Sequence, residues 1–422
     1  TMTRSNVTTT IQWFIFILAT NIVPPLSIAA LFELSPDETM TFISRSLFIF
    51  ALFSIIQTLL GHRLPILEGP AGIWWGVFTL YASIGPALYG SQQETLQALG
   101  FMLFLSGILG VLLTVTGILR RMLALFTPQV LGVYMILLVL QLSGAVIKGG
   151  FGVTEDGINI VQAVATAGLV LFALTLEQSR FKQYGLVMTL FVGFGLFHLL
   201  DLGNPIVRSE SFFLVPELLP FGNWVWDWNL LPTAFVITLL LMTNVLANIK
   251  LIERIVSSRE KREVKGNVPA SGVASGVSQI VAGLFGTPGP VAISGTAGFL
   301  SSTESVQRAP HLIAHALMMG LALIGPFVSL IASIPAAVGY AIVTPLIATM
   351  IIIGINEAAF ELKQSTASLT VGLPLVIGAG AMLLPPGSMN DLPPLLATVF
   401  SNGLVLGTIV ALTAATLSKI RD

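Results

Sequence analysis

Residues 61–75 read Gly61-His-Arg-Leu-Pro65-Ile-Leu-Glu68-Gly-Pro70-Ala-Gly72-Ile-Trp74-Trp75, and residues 286–298 read GTPGPVAISGTAG. Both stretches are apolar enough to enter a membrane, and both are broken by glycine and proline. Proline removes a backbone N–H and clashes with the preceding turn, so neither stretch reads as one continuous helix. A half-helix that starts inside a membrane presents free N–H groups and the positive end of its dipole. Such groups are tolerated at that depth only when buried in protein or facing a cavity. One interrupted stretch is most simply a kink. Two at matching places in two halves of a chain point to a transporter's binding site.

The rest of the chain supports this reading. Its 422 residues are 55% hydrophobic and 9% charged, and the mean hydropathy is +0.91. An ordinary soluble domain carries about 25% charged residues. Apolar runs recur from Ile11 to Leu417, so the chain is expected to be an all-α polytopic membrane protein. The run from Ile11 is too long for a signal-peptide core and lacks a small-residue cleavage site, so it reads as a first membrane helix. At ~20 residues per helix plus short loops, about 14 spans fit. They are expected near 11–32, 41–60, 67–84, 97–118, 128–147, 158–175, 184–199, 231–256, 270–285, 290–304, 310–333, 335–354, 368–384 and 393–416. The interrupted stretches fall in the third and the tenth. A polar loop over 200–230 divides the set into two equal halves. Each half has an odd number of spans, so the halves enter the membrane from opposite faces as inverted repeats.

Charge fixes an expected orientation. With both termini cytoplasmic, all the basic residues except Arg45, Lys148 and Arg208 lie on inner loops, at inner helix ends or at the termini. The outer loops hold acids such as Asp37, Glu38, Glu155, Asp156, Glu210 and Asp227. This asymmetry fits the positive-inside rule. The run from Arg254 to Lys265 is then a topology-fixing inner loop that could also touch anionic lipid.

Other function classes are excluded or weakened. A net charge of −1 excludes a generally basic nucleic-acid binder. With no cysteine, disulfides and thiolate metal sites are absent. Four histidines leave little for a histidine-rich metal site. His311 and His315 share a helix face, but lack a third ligand, and Arg308 and Pro310 place them toward the cytoplasmic end. No Gly-x4-Gly-Lys-Ser/Thr motif or hydrolase constellation occurs, which argues against direct ATP use and against an enzyme. Nothing in the chain calls for a cofactor.

At the two interrupted stretches the sequence resembles the nucleobase–ascorbate transporter family, which includes bacterial uracil and xanthine permeases. Gly61 to Trp74 is similar to the family's third-helix stretch. GVASGVSQIVAGLFG over 272–286, followed by Thr287-Pro288-Gly289, is similar to its ninth helix and Gly-Gly-Pro-Pro turn. ISGTAG over 293–298 then matches the tenth half-helix. Three family landmarks differ. The Gln-His of the first helix is matched by Thr20-Asn21. The glutamate of the eighth helix, and the Asp or His four residues on, are matched by Asn244 and Asn248. The Glu-Asn of the tenth is matched by Gly295-Thr296.

The resemblance implies a secondary transporter of a purine or pyrimidine that works by alternating access and, by default, proton symport in the cytoplasmic membrane. It implies a core domain of 1–120 and 231–333, a gate domain of 121–200 and 334–422, and an outer linker over 201–230. The third and tenth segments would pair as short strands continued by half-helices. Substrate would sit in the core beside the gate, and the protein would be a homodimer. A small-anion transporter of the sulfate or bicarbonate type, or an uncoupled facilitator, is the alternative on the same fold.

Individual residues carry the chemistry. Asn244 and Asn248 are spaced i, i+4 and share a helix face. Their amides suit the edge of a nucleobase, which alternates donors and acceptors. Such asparagines also serve as glue between membrane helices. Asn21 precedes Pro24-Pro25, whose rings free nearby carbonyls. Gly69 and Gly72 would let substrate approach the backbone closely, with Ile73 and Trp74 as an apolar wall, while Trp75 reads more simply as packing. Ser294, Gly295 and Thr296 would line the second half-helix with small polar groups. Glu68 is the acid beside a half-helix. It either pairs with Arg63 near the surface or lies deep, where it is the candidate proton carrier.

Overall fold

The computed structural model describes residues 4–421 apart from 71, 155, 182, 183, 386, 390, 401 and 402. Glu155 and Lys182, used above for orientation, lie outside the described residues.

The first half begins with α1 (Arg4–Asn21) and α2 (Val23–Leu31), followed by α3 (Pro36–Leu59). The break between α1 and α2 falls just before Pro24-Pro25. Helix α3 starts at a capping box: Glu38 N donates to Ser35 Oγ, while Ser35 N donates to Glu38 Oε2. Strand β1 (Glu68–Pro70) then leads into α4 (Gly72–Tyr89). Next come α5 (Gln92–Val115), α6 (Ile118–Met122) and α7 (Pro128–Gly150). A small hairpin, β2 (Val153–Thr154) and β3 (Gly157–Ile158), precedes α8 (Ile160–Glu177) and α9 (Gly185–Leu199).

The second half opens with α10 (Leu231–Glu260) and α11 (Val268–Phe285). Strand β4 (Pro290–Ala292) feeds α12 (Gly295–Thr303). The chain continues through α13 (Arg308–Leu321), α14 (Gly325–Ala332), α15 (Ala336–Ala358), α16 (Leu373–Met382), α17 (Pro394–Phe400) and α18 (Gly403–Arg421).

The protein is mostly helical, and among the described residues seven helices are each long and apolar enough to cross a membrane. Several expected spans are shorter or divided. The stretch near 310–333 is split into α13 and α14, because Gly325-Pro326 starts a new helix. Helix α14 meets the start of α15 at a bend of 80° near Pro335. The expected last span covers α17 and most of α18, with residues 401 and 402 between them outside the described residues.

Strands β1 and β4 pair antiparallel, with Glu68 opposite Ala292, Gly69 opposite Val291 and Pro70 opposite Pro290. Ile293 N also donates to Leu67 O at 2.8 Å. Two chain segments thus meet deep in the protein, and each continues as a helix. The ladder is held from the side by α3, where Ser54 Oγ accepts from Glu68 N at 2.9 Å.

Two helix groups surround this ladder. Helices α3, α4, α5, α10, α11 and α13 pack among themselves, and α7, α8, α9, α15, α16 and α18 do the same. The closest contact in the first group is α5 against α11. A Cβ added at Gly107 would stand 2.5 Å from Gly276 O, so only glycine permits this approach. The small-residue stripe of 272–286 therefore has a packing role. Between the groups, Arg254 on α10 pairs with Glu357 on α15. Ser302 on α12 donates to Glu177 on α8 at 3.1 Å and lies 3.4 Å from Thr349 Oγ1 on α15.

Arg45, one of the three basic residues expected off the inner side, is not a loop charge. It is buried within α3, and its Nε donates to Phe285 O at 2.9 Å. A cation there complements the negative end of α11.

Candidate functional site

The cavity lies where the two helix groups meet the ends of the ladder. Its volume is about 220 Å³. Ligand pockets for drug-sized molecules run to roughly 300–1,000 Å³, so this one suits a small solute. Its floor is Pro70, Ile73 and Trp75 from the first arm, with Ala292, Ile293, Ser294 and Gly295 from the second. Phe16, Thr20 and Pro24 close one side. Tyr134 and Gln141 from α7 face them, with Tyr340 from α15. Among the described residues no Asp, Glu, Lys, Arg or His lines it.

A hydrogen-bond network fixes the polar end. Tyr134 OH donates to Asn244 Oδ1 and lies 2.8 Å from Ser294 Oγ. Asn244 Nδ2 donates to Ala292 O at 2.9 Å, and Asn248 Nδ2 reaches the same carbonyl at 3.2 Å. Both amides are therefore tied to the end of β4. Asn248 is fully buried behind Asn244, and its Oδ1 has no partner. Thr296 is buried as well, its hydroxyl accepting from Leu67 N at 3.2 Å. It fastens the second arm to the first.

Of the residues picked out above, Ile73, Asn244, Ser294 and Gly295 line the cavity. Asn21 and Gly69 touch each other beside it. A Cβ at Gly69 would collide with Asn21 Oδ1, which has no hydrogen-bond partner. Gly72 starts α4. Trp74 is fully buried away from the cavity, where its Nε1 donates to Gln279 Oε1 at 2.8 Å. Trp75 is the tryptophan that faces the cavity, its Nε1 donating to Ser27 Oγ at 3.3 Å.

Among the cavity residues that escaped the sequence reading are two on α7. Tyr134 and Gln141 are seven residues apart, so they share a face of α7. Two polar side chains at that spacing in an otherwise apolar span were the available signal. Gln141 Oε1 is buried and has no partner. It is a buried, unsatisfied acceptor on a residue that lines the cavity.

Glu68 is buried, with its side chain 2% exposed, and is not among the cavity-lining residues. Arg63 does not reach it. A left-handed turn at Arg63 (φ 63°) sends that side chain to solvent and tucks His62 inward. His62 Nε2 stands 3.4 Å from Glu68 Oε1. Leu64 N donates to His62 Nδ1 at 3.0 Å, which makes Nδ1 the acceptor and Nε2 the N–H donor. His311 and His315 are also fully buried rather than at the surface. His311 Nε2 lies 3.0 Å from Thr58 Oγ1. Among the described residues no group of three or more metal-ligating side chains occurs.

Comparisons with known proteins bear on the fold and the family. The chain is 34% identical over 414 residues to a Bacillus subtilis (strain 168) protein named "Putative purine permease YwdJ", covering 96% of this chain and 94% of that one. Two solved structures share the fold at low identity. Murine Slc26a9, an anion transporter in the inward-facing state, matches at a TM-score of 0.63 and 13% identity, covering 100% of this chain and 69% of that one. The transmembrane domain of the cyanobacterial bicarbonate transporter BicA matches at 0.56 and 15%, covering 98% and 97%. The family model Xan_ur_permease, described as "Permease family", matches residues 4–387, and the chain belongs to that permease family.

Proposed function

We propose that this protein is a secondary transporter that carries a purine or related nucleobase across the cytoplasmic membrane, with proton symport and both termini cytoplasmic. The observation that carries the reading is the lining of the cavity: aromatic and aliphatic walls, a free carboxamide at Gln141, a hydroxyl–amide network at Tyr134, Asn244 and Ser294, and no charge. A carboxamide pairs bidentately with the edge of adenine, the best-known amide–base match. Trp75 supplies a flat apolar face for the ring. Asn244 holds Tyr134 and Ala292 O in place, while the Gln141 carboxamide, whose buried Oε1 has no partner, would turn to meet the solute.

In this reading the first helix group and the two arms form a core, and the second group forms a gate. The cavity lies between them, so sliding core against gate would turn it to each side of the membrane in turn. A homodimer built through the gate and a belt of membrane lipid complete the proposed assembly.

The test is counterflow in proteoliposomes, where internal unlabelled purine drives uptake of labelled purine. Saturable uptake competed by other purines is expected. Sulfate, bicarbonate or chloride flux in its place would overturn the reading in favour of an anion carrier. A thermal-shift series with purines and pyrimidines ranks the bases, because a ligand stabilises the folded state in proportion to its occupancy.

A further inference from the structure

The Glu68–His62 pair lies outside the cavity, fully enclosed, and Glu68 is the acid expected from the sequence to carry a proton if it lies deep. We propose that this pair is a dedicated proton-binding site of the core, physically separate from the substrate cavity and linked to it through the β1–β4 ladder. The proposal rests on the nucleobase reading for its link to transport, but not for the existence of the site.

The geometry defines where the proton goes. His62 Nδ1 is occupied by the Leu64 amide, and Nε2 carries the hydrogen that points at Glu68 Oε1. The imidazole is thus held neutral, and the exchangeable proton belongs to the Glu68 carboxyl. Proton binding here forms one O–H bond on Glu68 and breaks none; release leaves the carboxylate, with the His62 N–H still donating to it.

No cation offsets that carboxylate. β1 packs against α1, α3 and β4. From α3, the nearby Ser54 and Thr58 are neutral, and Arg45 is engaged with Phe285 O. From α1, Asn21 is neutral, and Arg4 is the only charged residue of that helix. β4 carries no titratable side chain. His311 stands beyond Thr58, next to His315, and Arg63 is turned to solvent. Among the described residues, His62 is the one ion-pair partner within reach. A buried charge in such surroundings is costly, and loss or gain of the proton changes what the local backbone must solvate.

The link to the cavity is the register. Glu68 lies opposite Ala292, whose carbonyl receives the amides of Asn244 and Asn248. Asn244 in turn holds Tyr134 and, through it, Ser294 in the cavity wall. A change in the position of β1 on protonation therefore has a short covalent and hydrogen-bonded route to the substrate groups.

Two measurements test this on purified full-length protein. Infrared difference spectra across a pH titration, without substrate, read the C=O stretch of a protonated carboxyl. The expected result is a titrating band that is missing in Glu68→Gln and has a shifted midpoint in His62→Gln. An unchanged band in Glu68→Gln overturns the site, whatever the substrate. In proteoliposomes, Glu68→Gln is expected to keep purine counterflow within about threefold and to lose accumulation driven by a pH gradient, which also shows that the variant is folded. Full pH-driven accumulation in Glu68→Gln overturns the link to transport. Absence of purine counterflow in the wild type overturns the nucleobase reading instead, while the infrared band still decides the site.

Discussion

The two arms that meet at the ladder are built alike and furnished differently. The first, from Glu68 to Trp75, carries bulk and a buried acid: Ile73 and Trp75 face the cavity, while Trp74 is locked to Gln279. The second, from Pro290 to Thr296, carries small residues whose hydroxyls and carbonyls are hydrogen-bonded. One frame thus yields a wall on one side and a polar anchor on the other. Symmetry of backbone does not impose symmetry of chemistry, and the division suits an asymmetric, flat, neutral solute.

Four substitutions break or sharpen this contrast. The largest effect is expected for Trp74→Ala, which empties a buried site and leaves Gln279 Oε1 without its donor, costing about 3–5 kcal/mol of stability. Thermal unfolding in detergent measures it; a variant with unchanged stability and weakened purine binding would mean that Trp74, not Trp75, is the wall. Gln141→Ala should leave stability nearly unchanged and weaken purine binding by about 1–3 kcal/mol, the range for a lost buried hydrogen bond. Calorimetric titration decides it, and wild-type affinity would remove Gln141 from the recognition scheme. Trp75→Ala should cost about 0.5–1.5 kcal/mol of affinity from lost aromatic contact. Quenching of its fluorescence by bound purine in the wild type is the companion readout. The smallest effect is expected for Ser294→Ala, about 0.5 kcal/mol in the same titration, since Tyr134 keeps Asn244 as its partner. A larger loss there would shift the anchoring role from α7 to the second arm.

The two interruptions were legible because proline and glycine act locally: they stop a helix whatever surrounds them. The i, i+4 asparagines were legible for the same reason, as spacing alone puts them on one face. The assignment of Trp74 and Trp75 was not. Neighbouring residues on a helix point about 100° apart, and which one faces the cavity depends on how α4 is rotated against α5 and α11. His62 was hidden by the turn at Arg63, since the sequence places three ionisable side chains within seven residues but does not say which two meet. Gln141 lay in a span with no interruption, where nothing but its spacing from Tyr134 marked it.

The contacts that bridge the two helix groups set the tempo of the proposed cycle. Arg254–Glu357 and Ser302–Glu177 join α10 and α12 to α15 and α8. If the groups slide past one another, these bonds part and re-form at every turnover, together with the bonds from Tyr134 to Asn244 and Ser294 that cross the same boundary at the cavity. They act as friction rather than as recognition. In that cycle, weakening Arg254–Glu357 and Ser302–Glu177, which lie apart from the cavity lining, is expected to leave affinity alone and change how often the protein crosses between its states.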